Sequence, residues 1–241
     1  MTKKARKIPE VNEGDFKKSL RNARKSSEHK EYLDKVLVDY DRYVKDFTKA
    51  FTIKNDLYSV YIFRATYLNS EKPIWRELAL LGKHTFDDLA DEIIWWMSWD
   101  NDHMHAFVLN KPDVKEDNIY KLPAMYSQEW EDDPYPTHKT TDVKIVDVNY
   151  TKYPKWGFIF DFGDGHEFDV ELLRIEKKFN RKLYSSPLPT CIDMRGVSPE
   201  QYPPLEDQVD KYGEWKCDEF CPHCNELKKS GTKMQWFPDD E

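Results

Sequence analysis

The chain has 241 residues, 39% of them hydrophobic and 15% aromatic, enough to build the core of one generous domain with appendages. Charged residues make up 34% and the mean hydropathy is -0.85, so part of the chain must be solvated helix face, linker or tail. A net charge of -8 excludes a surface built wholly for phosphate backbones, and the sequence lacks the run of ~18 apolar residues that a membrane span needs.

The first thirty residues carry no apolar core of the kind a secretory signal requires, which predicts a cytoplasmic protein with no membrane partner. Those residues hold ten Lys/Arg against four acids, a local balance of +6 that leaves -14 for the remainder. A basic arm on an acidic body is either plainly solvated or a contact for nucleic acid or an acidic protein partner. From Glu31 to Phe51 the apolar positions Leu33, Val36, Leu37, Tyr40, Tyr43, Val44, Phe47 and Phe51 recur at three- and four-residue steps. This spacing predicts an amphipathic helix that docks its stripe on the main domain.

Tyr58 to Leu68 is rich in aromatic and β-branched residues and predicts a long strand, joined through Asn69–Lys72 to a second strand over Ile74–Leu80. Thr85 is a good N-cap, with Asp87 and Asp88 in the first turn, for a buried helix carrying Phe86, Leu89, Ala90, Ile93, Ile94 and Met97. A short strand is expected over His105–Leu109, then a proline-rich loop from Asn110 to Thr141. Trp156–Phe162 and Glu167–Ile175 read as two more strands, joined at Gly163-Asp-Gly165, where the two glycines and Asp164 would supply positive φ. The expected fold class is therefore α+β: a mixed, mostly antiparallel sheet of about five strands packed on a central helix, with an added N-terminal amphipathic helix and an irregular C-terminal tail. The corresponding domains are residues 1–54, 55–210 and 211–241.

Several constellations could carry chemistry. Cys217, Cys221 and Cys224, with His223 adjacent, offer thiolates three and four residues apart, a set that suits a structural zinc site whose fourth ligand would be His223, Cys191 or a residue of another chain. Reduced cysteines in a tail are the alternative. His103 and His105 stand two apart at the mouth of a strand, so both would share a face if the strand begins there. Asp100 and Asp102 could orient an imidazole, or all four could simply close the turn. Asp161 and Asp164 flank Gly163, where aspartates commonly bond the turn's own amides. A site joining Asp161 to His103 and His105 requires their strands to be neighbours. Trp75, Trp95, Trp96 and Trp99 with Arg64 and Arg76 could form a stacking platform for a nucleobase, although tryptophans around a buried helix also serve as core.

Three pieces of the sequence resemble the plasmid pRiA4b ORF-3-like family, whose members are also labelled insertion-element passenger proteins. They are Pro73-Ile-Trp-Arg76 followed by Thr85-Phe-Asp-Asp-Leu89, then Trp99-Asp-Asn-Asp-His-Met-His-Ala-Phe107, and Phe160-Asp-Phe-Gly-Asp164 continued by Glu167-Phe-Asp-Val-Glu-Leu172. The likeness covers roughly residues 56–205 and extends to Gly196-Val-Ser-Pro-Glu-Gln-Tyr-Pro203. His166 stands where members usually carry tryptophan, and Phe168 where many carry histidine. The resemblance implies a compact α+β fold and no established reaction.

Two functional classes are expected. One is a non-enzymatic binding or accessory module, associated with mobile elements, whose contact residues include Arg76, Trp99 and Asp102. The other is a metal-dependent enzyme, acting on nucleic acid, with His103, His105 and Asp161 as ligands or general base.

Overall fold

The computed structural model describes residues 14–52, 54, 56–109, 124–128, 135, 137–177 and 187–202. The chain divides into two compact units, Met1–Pro199 and Glu200–Glu241. Of the second, residues 200–202 are described, and there the Gln201 amide donates to the Tyr202 hydroxyl at 2.8 Å.

In the first unit, strands β1 (Val60–Tyr67) and β2 (Ile74–Leu81) form an antiparallel hairpin that pairs Val60 with Leu81 and Tyr67 with Ile74. Side chains alternate across a strand, so Tyr61, Phe63, Ala65 and Tyr67 enter the main core while Val60 and Ile62 join a smaller cluster on the opposite face. The same alternation in β2 sends Ile74, Leu78 and Leu80 to the main core and Ala79 to the smaller cluster. Arg76 therefore belongs to the main-core face, and Trp75 and Glu77 to the other.

Helix α3 (Phe86–Trp96) begins with a capping box: the Asp88 amide donates to the Thr85 hydroxyl at 3.1 Å, and the Thr85 amide donates to the Asp88 carboxylate at 2.7 Å. The expected residues Phe86, Leu89, Ala90, Ile93 and Ile94 are its buried face. The remaining strands are β3 (His105–Leu109), β4 (Ala124–Tyr126), β5 (His138–Lys139), β6 (Lys155–Phe160), β7 (His166–Glu176) and β8 (Thr190–Arg195). The sheet runs β5-β4-β3-β6-β7-β1-β2-β8 and is antiparallel except for β4 against β5.

This corrects the expected architecture in two respects. The sheet has eight strands rather than about five, because β4, β5 and β8 extend its two ends. The helix over 86–96 is not central: it covers one face of the sheet and shares the main core there with a second helix, α2 (Lys30–Ala50). Helix α2 docks through Tyr40, Tyr43, Val44 and Phe47, the C-terminal half of the stripe read from the sequence, and through Ala50, which was not part of it. Part of the basic arm forms a further helix, α1 (Gly14–Ser26), which lies on α2 with Lys17 paired to Asp41 and Arg24 to Asp34. Among the described residues no helix is long and apolar enough to cross a membrane.

Candidate functional site

The conspicuous cavity sits where the C-terminus of α3 meets the end of β8. It encloses about 530 Å³, with Arg76 at its floor and Trp95, Trp96, Trp99, Met194 and Val197 among its walls. Arg76 is 3% exposed. Its Nε donates to the Trp96 carbonyl at 2.7 Å, Nη1 to the carbonyls of Trp75 at 2.9 Å and Arg195 at 3.0 Å, and Nη2 to the Ser198 hydroxyl at 2.7 Å. Every acceptor is neutral, and no carboxylate among the described residues bonds to it. Burial pulls its pKa below the ordinary arginine value, yet a guanidinium stays charged in a protein.

Part of that charge is offset by the helix itself. Trp96 is the last residue of α3, so its carbonyl belongs to the negative end of the helix dipole. The arginine thus ties three elements together: β2, the end of α3 and the segment after β8. Gly196 makes this closure possible, because its φ of +80° is a left-handed conformation and a Cβ there would stand 2.8 Å from the Pro73 carbonyl. Trp99 donates its indole N–H to the Pro199 carbonyl at 2.9 Å and is 6% exposed. Trp95 by contrast is 73% exposed, Met194 51% and Val197 89%.

The expected stacking platform is split by the pleat of the sheet. Arg76, Trp95, Trp96 and Trp99 gather at this cavity. Arg64 pairs instead with Glu77 and lies 4.7 Å over the Trp75 ring, on the opposite face.

A second, smaller pocket of about 390 Å³ opens beside the β6–β7 turn, lined by Asp102, His103, Met104, Gln128, Asp161 and Phe162 among others. Because β3 and β6 are neighbours, with His105 opposite Phe160, the chain positions just before β3 and just after β6 meet. The His103 Nε2 lies 3.4 Å from the Asp161 carboxylate and 4.0 Å from that of Asp102. Asp161 is buried and adopts φ of +53°, and its other carboxylate oxygen accepts from the amides of Gly163 at 2.9 Å and Asp164 at 3.3 Å. The left-handed residues of this turn are thus Asp161 and Gly165 rather than Gly163.

His105 does not join that pocket. The strand starts at His105, so His103 falls outside the alternation and the two imidazoles part. His105 is buried, with Nε2 3.3 Å from the Thr140 hydroxyl and 3.5 Å from the Asp87 carboxylate, and Thr140 donates to the same Asp87 oxygen at 2.8 Å. Burial lowers the His105 pKa, with Asp87 opposing the shift. No sequence signal pointed to Thr140, which is brought to His105 by the β3–β4–β5 pairing and held there by bonds to Asp87.

His166 was also unforeseen. It is 6% exposed and packs 4.3 Å from the Trp99 ring, with Nδ1 3.2 Å from the Tyr67 hydroxyl and Nε2 without a hydrogen-bond partner among the described residues. Its place in a sequence motif where tryptophan is usual was the available hint. Cys191 is a half-buried free thiol on β8 that donates to the Asp193 carbonyl. Cys217, Cys221, His223 and Cys224 lie outside the described residues. Among the described residues no group of three or more His, Cys, Asp or Glu is arranged to hold a metal ion.

A family model described as plasmid pRiA4b ORF-3-like protein matches residues 59–207. Among solved structures the chain is similar to the crystal structure of a protein of unknown function, MM3350 from Methanosarcina mazei Go1, at 23% identity and a TM-score of 0.49, over 61% of this chain and 76% of that one. No curated protein matches.

Proposed function

This chain belongs to the plasmid pRiA4b ORF-3-like family, and from that premise we propose that it is a non-enzymatic binding or accessory module of mobile elements whose recognition site is the cavity over Arg76. The observation that carries the reading is the buried guanidinium, bonded only to neutral acceptors, beneath a rim of exposed Trp95, Met194 and Val197. Apolar walls from Trp95, Trp96, Trp99, Met194 and Val197, with Arg76 fixed at the floor and Ser98, Asp100 and Ser198 beside it, suit selective binding. Of the three residues on which an enzyme would depend, His103 and Asp161 meet, but His105 does not join them and is engaged with Asp87 and Thr140, while Asp161 also caps its own turn. The tail residues Cys217, Cys221, Cys224 and His223 would serve the module as a structural zinc site.

The test is differential capture of cellular partners by the full chain, its Trp95→Ala variant and its His103→Ala variant. Trp95 is exposed, so its loss should leave the fold intact. A binding module loses its partners with Trp95→Ala and keeps them with His103→Ala. The reverse pattern, or a nuclease activity abolished by His103→Ala, would favour the enzyme instead.

A further inference from the structure

We propose that the cavity over Arg76 receives a single carboxylate carried on an apolar or aromatic group, a chemistry that a peptide C-terminus or a free organic acid can supply. The inference rests on the reading of this cavity as the recognition site and adds the class of ligand.

The hydrogen-bond count comes first. A guanidinium has five N–H donors, and the Nη2 group carries two of them. The Ser198 hydroxyl takes one, and the other has no acceptor among the described residues. Among the described residues lining the cavity, Arg76 is the sole cation. An anion that reached the floor would therefore meet one charge and one free donor, already partly offset by the α3 dipole at Trp96.

The surrounding charge selects among anions. Asp100 lines the cavity, and Asp91 and Glu92 lie on α3 just before Trp95. Together these three carboxylates make the field about the cavity negative; burial is the main reason the pKa of both Asp91 and Glu92 is raised, and neighbouring carboxylates add to it. A phosphate dianion or a nucleic-acid backbone would meet that field with two or more charges and a single cation to answer it. A carboxylate brings one. The walls decide the rest of the ligand: Trp95, Met194 and Val197 present exposed apolar surface, which favours an apolar or aromatic group behind the carboxylate.

The probes are the pentapeptide Gly-Ser-Gly-Ser-Phe with a free C-terminus, its C-terminal amide, phenylacetate and inorganic phosphate, titrated against the full chain by tryptophan fluorescence and calorimetry. The free-acid peptide should bind and its amide should bind at least about tenfold more weakly, since the charge-assisted bond is lost. Binding should fall in Val197→Asp, which adds a negative charge at the rim, and rise in Asp100→Asn, which removes one. Both positions are exposed, so both variants should fold. A peptide that outbinds phenylacetate identifies a C-terminus as the source, and equal binding identifies a free acid. Equal binding of acid and amide overturns the proposal, as does tighter binding of phosphate, or no binding of any probe at millimolar concentration. In those cases, loss of captured partners with Trp95→Ala would leave the binding-module reading standing with a different ligand, and retention of those partners would sink both.

Discussion

His138 should make the stability of this protein depend on pH in a window set by one buried ring. It sits in the two-residue strand β5, 6% exposed, with its ring 4.5 Å from that of Phe47 and 4.7 Å from that of Phe51. Burial lowers its pKa from 6.5 to about 4. The unfolded chain then binds more protons than the folded one between those two values, so stability is complete above about pH 6.5 and is lost as pH falls toward 4. At pH 4.5 the linkage amounts to about 2–3 kcal/mol. The perturbation is His138→Phe, which keeps a ring in the aromatic cluster and removes the titration. Urea denaturation at pH 7.5 and 4.5, followed by tryptophan fluorescence, should show similar stabilities at the higher pH and a wild type weaker by that amount at the lower. His105 titrates in the same direction and Asp91 and Glu92 in the opposite one, but all three are common to both proteins and cancel. If both proteins lost the same stability on acidification, the assignment of the effect to His138 would be refuted.

Arg76→Leu should destabilise by roughly 3 kcal/mol or more, because it strips the Trp96 and Arg195 carbonyls and the Ser198 hydroxyl of their donor at once; a melt unchanged from wild type would show that the arginine does not tie α3 to β8. Gly196→Ala should cost clearly more than Gly165→Ala in thermal denaturation. Both glycines have positive φ, but a Cβ at 196 would press on the Pro73 carbonyl and Ile74, whereas the one at 165 meets nothing within 4 Å. Thr85→Ala should lose about 1 kcal/mol by opening the capping box of α3, measurable as a lower urea midpoint with an unchanged slope. Elemental analysis of the full chain should find stoichiometric zinc that disappears when Cys217, Cys221 and Cys224 are changed to serine and persists when His103 and His105 are changed to alanine; zinc that follows the histidines would move the metal to the second pocket.

Strands β1, β2, β3, β6 and β7, helix α2 and helix α3 with its cap were legible in the sequence because each is specified by neighbours a few residues away. Period-two runs of aromatic and β-branched residues, a three-four apolar stripe and the Thr85–Asp88 pair are local signals. The elements that escaped lack such signals. Strands β4 and β5 are three and two residues long, too short to show alternation. Strand β8 has an exposed end and follows a stretch of prolines. Helix α1 buries no residue fully, and its apolar positions Phe16, Leu20 and Ala23 are too few among its charges to mark it out from a solvated arm.

The candidate site was legible as a set of residues and not as an arrangement. The sequence by itself placed Arg76 within the second strand of the hairpin, Asp161 within a later strand and His103 and His105 at the mouth of another, and determined that Trp75 and Arg76 must point to opposite faces of one strand. Only the tertiary structure decided which of them meet. The pairing of β3 with β6 brings His103 to Asp161, and the β3–β4–β5 pairing delivers Thr140 to His105. The pairing of β8 with β2 carries Arg195 and Ser198 to the guanidinium of Arg76, more than a hundred residues away in sequence. Local propensity acts over a few residues and so can be read along the chain, whereas these contacts depend on which strands pair and on which face the helices cover, which is set by the burial of the whole core.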